Sequence, residues 1–367
     1  MNDLKNDLDE FDAVNPLDGF TSTREREIKR ITQAKTGTLP QGLETGYQTF
    51  DMYFRYKPKD FVIINGHAGI GKSFMVWYLM SLAAHRYGWK WILFCGENMS
   101  ADIRTRLVEF KSGSLAKFIP DATFESNLNW AYDHFEIIEL EDDNTQIETA
   151  DPILSIAEKI IDTKGTYNGL LIDPYNSLQM DMSKMESRLS THDYHYFIAT
   201  KIRKFNKKHN LTTWINMHAV SSALRNRDDQ GYPKPPMEAD TEGGGKWTNR
   251  SDLFMTFHRY VQDHSRNKTT EIHVRKIKDT YTGGMQTDLN NPVELHWESH
   301  GKFYGFYDNH GKCAFTDREI KIERLPDTGK QVEAFEGEQK MKDKKRITKG
   351  TEELIDDLYN DKGDAPF

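Results

Sequence analysis

Gly66, Gly71, Lys72 and Ser73 fall at the spacing G-x-x-x-x-G-K-S within "NGHAGIGKSF", residues 65–74. Residues of these types at this spacing bind phosphate. Glycines let the chain curl, and backbone N–H groups from Gly66, His67, Ala68, Gly69, Ile70 and Gly71 through to Phe74 can cradle a nucleotide's phosphates. Lys72 meets the β/γ-phosphates, and the Ser73 hydroxyl ligates Mg²⁺. The bland alternative is a glycine-rich turn. Context favours phosphate: the motif follows "DFVIING", an apolar run that reads as a buried strand, and precedes "SFMVWYLMSLAAHRYG", which reads as a helix.

Such a loop needs a carboxylate to order the metal shell and a base to align attacking water. "GLLIDPYNSL" offers Asp173 at the end of an apolar strand, making Ser73 and Asp173 the expected metal pair. Many P-loop motors carry a glutamate directly after that aspartate, but here Pro174 follows, and proline cannot act as a base. The role falls to Glu97 in "WILFCGENMS", because adjacent strand ends of a parallel sheet converge on one edge. The alternative is a solvated carboxylate or an N-cap partner for the next helix. A further strand, "LTTWINMHAV", ends at His218, placed to hydrogen-bond a γ-phosphate and report its loss; a lone strand-end histidine is more often simply a satisfied polar residue.

Two loops are candidates for holding a nucleic-acid backbone. "SSALRNRDDQGYPKPPMEADTEGGGKW" is long enough that an unstructured loop of its size in a compact domain is usually functional. Arg225, Arg227, Lys234 and Lys246 can hold phosphates, and the run Gly243, Gly244 and Gly245 allows close backbone approach. "QMDMSKMESRLSTHD" offers Lys184 and Arg188. In either loop the charges can instead be merely solvated.

The elements that position these groups are legible as alternation. From about 41 to 310, apolar runs ("FVIIN", "WILFCG", "FEIIEL", "GLLID", "TTWINM", "DLFMTFH", "TEIHVRK", "VELHW") interleave with amphipathic stretches. This pattern predicts an α/β fold, a mostly parallel sheet flanked by helices and finishing in antiparallel hairpins. "HDYHYFIATKIRKFNKKHN" predicts a helix burying Tyr194, Phe197, Ile198, Ile202 and Phe205 on one face. Residues 1–40 read as a polar arm with one short helix, "TSTREREIKRITQA", whose apolar stripe is Ile28 and Ile31. Residues 311–367 read as a charged, disordered tail: "EQKMKDKKRITK" is basic, and "TEELIDDLYNDKGDAPF" holds six acids against one lysine.

Composition sets outer bounds. The chain has 367 residues and a net charge of −8, which argues against a uniformly basic nucleic-acid-coating protein while leaving room for basic loops. Its two cysteines, Cys95 and Cys313, argue against a disulfide framework or a cysteine zinc site, which fits a reducing cytoplasm, the host's if the source is viral. No run approaches a membrane span, and the acidic N-terminus is unlike a signal peptide.

In order, "TGYQTFD", the P-loop, "GEN", "DPYN", "MHAV", "GGGKWTNRSDLFMTFHR" and "HVRKIKDTYTGG" resemble the RecA-like helicase domain of hexameric replicative DNA helicases. The resemblance is nearest to the Twinkle and phage primase-helicase branch, with DnaB-like helicases a step further away, and spans about residues 42–298. It implies a RecA-like core, ATP and Mg²⁺ between subunits of a ring, expected to be a hexamer, and translocation on single-stranded DNA. It implies Lys72 and Ser73 for phosphate and metal, Glu97 as base, Asp173 as Walker B carboxylate and His218 as γ-phosphate sensor. The family's trans-acting Lys-x-Arg pair is here Lys276-Ile277-Lys278. A lysine cannot make an arginine's bidentate contact, so Lys278 acts as a point charge, or Arg275 or Arg259 takes the role. No primase domain is expected in the roughly 40 residues before the match, so priming would come from another chain. The arm helix either packs on a neighbouring subunit or is solvated. The tip "DLYNDKGDAPF" is similar to acidic, phenylalanine-ended tips that dock replication partners, or it is a solubilising tail. A RecA-like recombinase and a weakly hydrolysing DNA-loading module stand as alternatives.

Overall fold

The computed structural model describes residues 24–139, 149–178, 191–299 and 304–315. Lys184, Arg188, most of the tail and its acidic tip lie outside them. In chain order the helices are α1 (Arg24–Thr36), α2 (Gln48–Asp51), α3 (Lys72–Tyr87), α4 (Ser100–Ser112), α5 (Asp121–His134), α6 (Ala150–Lys164), α7 (Thr191–His209) and α8 (Gly245–Arg250). The strands are β1 (Phe61–Gly66), β2 (Trp91–Cys95), β3 (Phe135–Ile138), β4 (Gly169–Asp173), β5 (Thr212–His218), β6 (Leu253–His258), β7 (Thr269–Ile277), β8 (Val293–Glu298) and β9 (Gly305–Tyr307).

Among the described residues these strands form one sheet in the order β3-β2-β4-β5-β1-β6-β7-β8-β9. The first six positions are parallel, and β6 to β9 are joined antiparallel. Both the parallel body and the late antiparallel hairpins therefore stand as expected. Strands β1, β2, β4 and β6 are buried along their whole length, as both-face-covered strands are.

The period of two along each strand feeds two cores. Val62, Ile64, Leu93, Leu171 and Trp214 meet α3, α4 and α5 through Val76, Leu107 and Ala131. Ile63, Ile92, Ile172 and Ile215 meet α6, α7 and α8 through Ile153, Ile198 and Trp247. Helix α3 is apolar nearly all round because it is sunk in the first core, and Gly88 ends it in a left-handed conformation, φ 68°.

Two expectations shift. In α7, Tyr194, Ile198, Ile202 and Phe205 are buried, but Phe197 is 40% exposed, one step off the stripe, with Lys201 Nζ 4.7 Å above its ring. The packed region also continues past residue 310: β9 was not legible as a strand, and Cys313, Ala314 and Phe315 beyond it are buried. Ile28 and Ile31 on α1 are exposed.

Candidate functional site

Strand order is what assembles the chemistry. β2, β4, β5 and β1 are consecutive neighbours running the same way, so their C-terminal ends line one edge. Those ends carry Glu97 just past β2, Asp173, His218 and the loop that begins at Gly66. Cys95 pairs with Asp173 and Gly66 with His218, so the four groups arrive at the same level.

The loop's backbone needs its glycines. A Cβ on Gly66 would meet the Phe257 carbonyl at 2.5 Å and Lys72 Cδ at 2.8 Å, while Gly69 and Gly71 have φ of 74° and 87°. Gly71 caps α3, whose first residue, Lys72, is 5% exposed. Lys72 Nζ donates to the His67 carbonyl at 2.7 Å and lies 3.1 Å from His218 Nδ1. Burial pushes the Lys72 ammonium down to about 8, against the pull of Asp173 and Glu97. Burial, then the Lys72 charge, lowers His218, against Glu97, so its neutral Nδ1 accepts from Lys72.

Ser73 Oγ donates to Asp173 Oδ1 at 3.1 Å, and Asn216 Nδ2 donates to the same oxygen at 2.7 Å. Asp173 is 2% exposed, and its Oδ2 has no hydrogen-bond partner. Burial raises its carboxyl to about 6 despite Ser73, Asn216 and Lys72. An orphaned buried carboxylate oxygen beside a serine hydroxyl suits a hard cation such as Mg²⁺, which takes one or two protein oxygens and fills its shell with water and phosphate. Among the described residues, no group of three or more His, Cys, Asp or Glu is arranged to hold a metal ion. Glu97 is exposed, and its charge acts on Lys72, Asp173 and His218 alike, so it faces the same volume.

The long loop after β5 is not structureless. It is an ordered lobe with a 3₁₀ turn at Ser221–Arg225, bridges Ala219 to Thr241 and Arg227 to Pro233, and a second 3₁₀ turn at Glu238–Asp240. The C-terminal sheet edge holds it directly. His67 Nε2 lies 3.0 Å from the Lys234 carbonyl, Asn65 Nδ2 donates to Met237 O at 3.2 Å, and Thr256 Oγ1 donates to Pro236 O at 3.1 Å. Asn176 accepts the His218 amide at 2.7 Å and donates to Glu242 at 2.6 Å. Arg225, Arg227 and Lys234 are exposed on this lobe, whereas Lys246 sits on α8 near Tyr196, whose ring Arg250 covers at 3.8 Å.

The glycine run has an internal reason. A Cβ on Gly243 would meet His195 Cδ2 at 2.7 Å and Trp247 Nε1 at 2.9 Å, while Gly244 turns the chain at φ 48° and one on Gly245 meets nothing.

Residues 42–295 match the DnaB-like helicase C terminal domain. The chain belongs to this family. Its fold is similar to the ATPase domain of G40P, at 14% identity and a TM-score of 0.59 over 76% of this chain and 96% of that one. It is similar as well to a DnaB-like replicative helicase solved for its interactions with primase, at 14% identity and a TM-score of 0.58 over 77% of this chain and 66% of that one. No curated protein sequence matches it.

On the antiparallel side of this helicase-family domain the two finger-position lysines are engaged within their own chain. Lys276 Nζ donates to the carbonyls of Thr248 and Ser251, and burial lowers its pKa. Lys278 Nζ is 3.4 Å from Asp252, which Arg203 also holds at 2.9 Å; its side chain stays 57% exposed. The guanidinium of Arg259 is 3.7 Å from where a Cβ on Gly71 would stand, so it attends its own chain's loop, and the charge of Arg275 feels Glu238 of the lobe. Asn216, Asn176, Asn65 and the His67 side chain were not singled out by sequence. The available signal was a polar residue inside an otherwise apolar central strand, as in "TTWINMH" and "VIING".

Proposed function

We propose that the protein is an ATP-driven DNA helicase of the replicative type, translocating on single-stranded DNA as a ring, a hexamer, with ATP hydrolysed where subunits meet. The carrying observation is the convergence of Lys72, Ser73, Asp173, Glu97 and His218 on one sheet edge that is bonded directly to a lobe exposing Arg225, Arg227 and Lys234. Lys72 neutralises β/γ-phosphate charge as it builds. Ser73 and Asp173 hold Mg²⁺, which supplies further neutralisation of the phosphates. Glu97 aligns water and takes its proton on a carboxylate oxygen, the role Pro174 leaves open. His218 senses the γ-phosphate, and Asn176 ties its amide to the lobe. Arg225, Arg227, Lys234 and Lys246 contact the DNA backbone, with Gly244 and Gly245 letting the chain approach it. A replicative helicase of similar fold interacts with primase, which supports a replication partner for this chain, met through the acidic tip.

The test is phosphate release with and without single-stranded DNA, read beside native mass and unwinding of a forked duplex. DNA stimulates the wild type, and Lys72→Ala abolishes turnover. An ATPase indifferent to DNA that leaves forks paired defeats the reading. The intrachain bonding of Lys276 and Lys278 favours one second reading, a weakly hydrolysing DNA-loading module.

A further inference from the structure

His67 belongs to the phosphate-binding loop through its main chain and to the lobe through its side chain. Its carbonyl accepts from Lys72 Nζ, and its Nε2 meets the Lys234 carbonyl at 3.0 Å. A carbonyl only accepts, so Nε2 carries the proton and donates. His67 is 5% exposed, and its ring stands edge-on to His258, with centroids 5.9 Å apart. His258 is itself buried, with no hydrogen-bond partner on either ring nitrogen, and Tyr260 packs against it at 4.4 Å. The imidazole of His67 is therefore backed by the buried His258 ring on one side and bonded to the lobe on the other. In so dry a slot a single hydrogen bond is stiff and directional.

Lys72 connects the two roles. An ammonium has three N–H donors, and here two are directed at the His67 carbonyl and His218 Nδ1. A phosphate that draws Lys72 competes with both acceptors. When the Lys72–His67 bond weakens, the main chain at His67 is free to shift, and its side chain passes that shift to Lys234. The receiving segment is tied to itself: Lys234 N–H donates to Asn226 O at 2.9 Å, and Arg227 bridges Pro233. Immediately beyond, Pro236 and Met237 are pinned to β6 and β1 through Thr256 and Asn65, which marks the pivot.

We propose that His67 is a positioning residue that couples phosphate occupancy of the loop to the position of lobe residues 226–237, and so to the exposed side chains of Arg227 and Lys234. The coupling stands on this geometry alone; only its use in gripping DNA rests on the helicase reading.

Amide hydrogen exchange on the full chain, with Mg²⁺ and saturating non-hydrolysable ATP analogue, tests it. In the wild type the analogue changes exchange within 226–237 by about fivefold or more, the lower end of ordinary allosteric coupling. In His67→Ala that response falls below about twofold, and in His67→Gln, whose amide can still donate to Lys234, it returns. If alanine abolishes cooperative melting, His67→Leu, which fills the slot without a donor, takes its place with the same expected loss. As a second readout, the ratio of oligo-dT Kd values with and without analogue falls towards one in the donor-less variant and recovers in His67→Gln. A lobe that responds equally without the donor, or not at all in the wild type, overturns the proposal. A lobe that responds through His67 in a protein that binds no oligo-dT leaves the coupling intact and removes the DNA reading instead.

Discussion

In the parallel half of the sheet, β2, β4, β5 and β1 deliver Glu97, Asp173, His218 and Lys72 to one shared volume, whereas in the antiparallel half β7 delivers Lys276 and Lys278 to carbonyls and a carboxylate of their own chain. In the first set two groups, Lys72 and Asp173, are pushed towards neutrality by burial, against their attraction for each other. The second set is satisfied locally, and only Lys278 keeps much of its side chain in solvent. A parallel sheet concentrates function along one edge by topology alone. Antiparallel hairpins have no such edge, so what they present outward needs a second surface to act on.

Four measurements sharpen or break this contrast. The largest effect belongs to the parallel half: Glu97→Gln lowers turnover by roughly 10²- to 10⁴-fold while nucleotide affinity stays within a few-fold. A variant that keeps wild-type turnover removes Glu97 from the chemistry. In the antiparallel half, Lys278→Arg raises DNA-stimulated turnover by about tenfold or more if a point charge limits the site, since arginine fingers supply far larger gains elsewhere; unchanged rates would mean that Lys278 serves Asp252 alone.

The third measurement is pH. Because burial lowers Lys72 to about 8, the ammonium is lost above that pH unless phosphate holds it, so nucleotide affinity weakens by up to about tenfold per pH unit above 8. Titration calorimetry in buffers of different ionisation heat should show proton uptake on binding there. The smallest effect is on stability. Asp173 is raised from 3.8 to about 6, so its contribution to stability is full below about pH 4 and is lost as pH rises through 6. Without Mg²⁺, Asp173→Asn should therefore unfold about 1–3 kcal/mol harder than wild type at pH 8, with the gap closing by pH 4. Denaturant titrations at the two pH values read it, and an equal gap at both would refute the burial account.

The parallel strands were legible because central strands covered on both faces read as unbroken apolar runs, and Gly66, Lys72, Ser73 and Asp173 were legible because their spacing and strand-end context follow from phosphate chemistry. β9 escaped because three residues, "GFY", carry no period. Phe197 was misassigned because a helical stripe is narrower than its list of apolar residues. The order inside the lobe had no local signature, and of the tethers from His67, Asn65 and Asn176 only Asn65 had one, a polar residue in an apolar strand that does not name its partner. Their partners lie 167, 172 and 66 positions away in the chain, and only the fold brings them within reach. The same holds for Gly243, whose missing side chain answers to His195 and Trp247.

The pairing of β4 with β5 matches Ile172 to Ile215, which sets Asn216 against Asp173 at the end of the ladder. Slipping that ladder by one residue would turn Asn216 and His218 to the opposite face and exchange Trp214 and Ile215 between the two cores. Packing and chemistry would then fail together. A chain that has paired its strands wrongly thus loses its two cores and this constellation of side chains in a single fault.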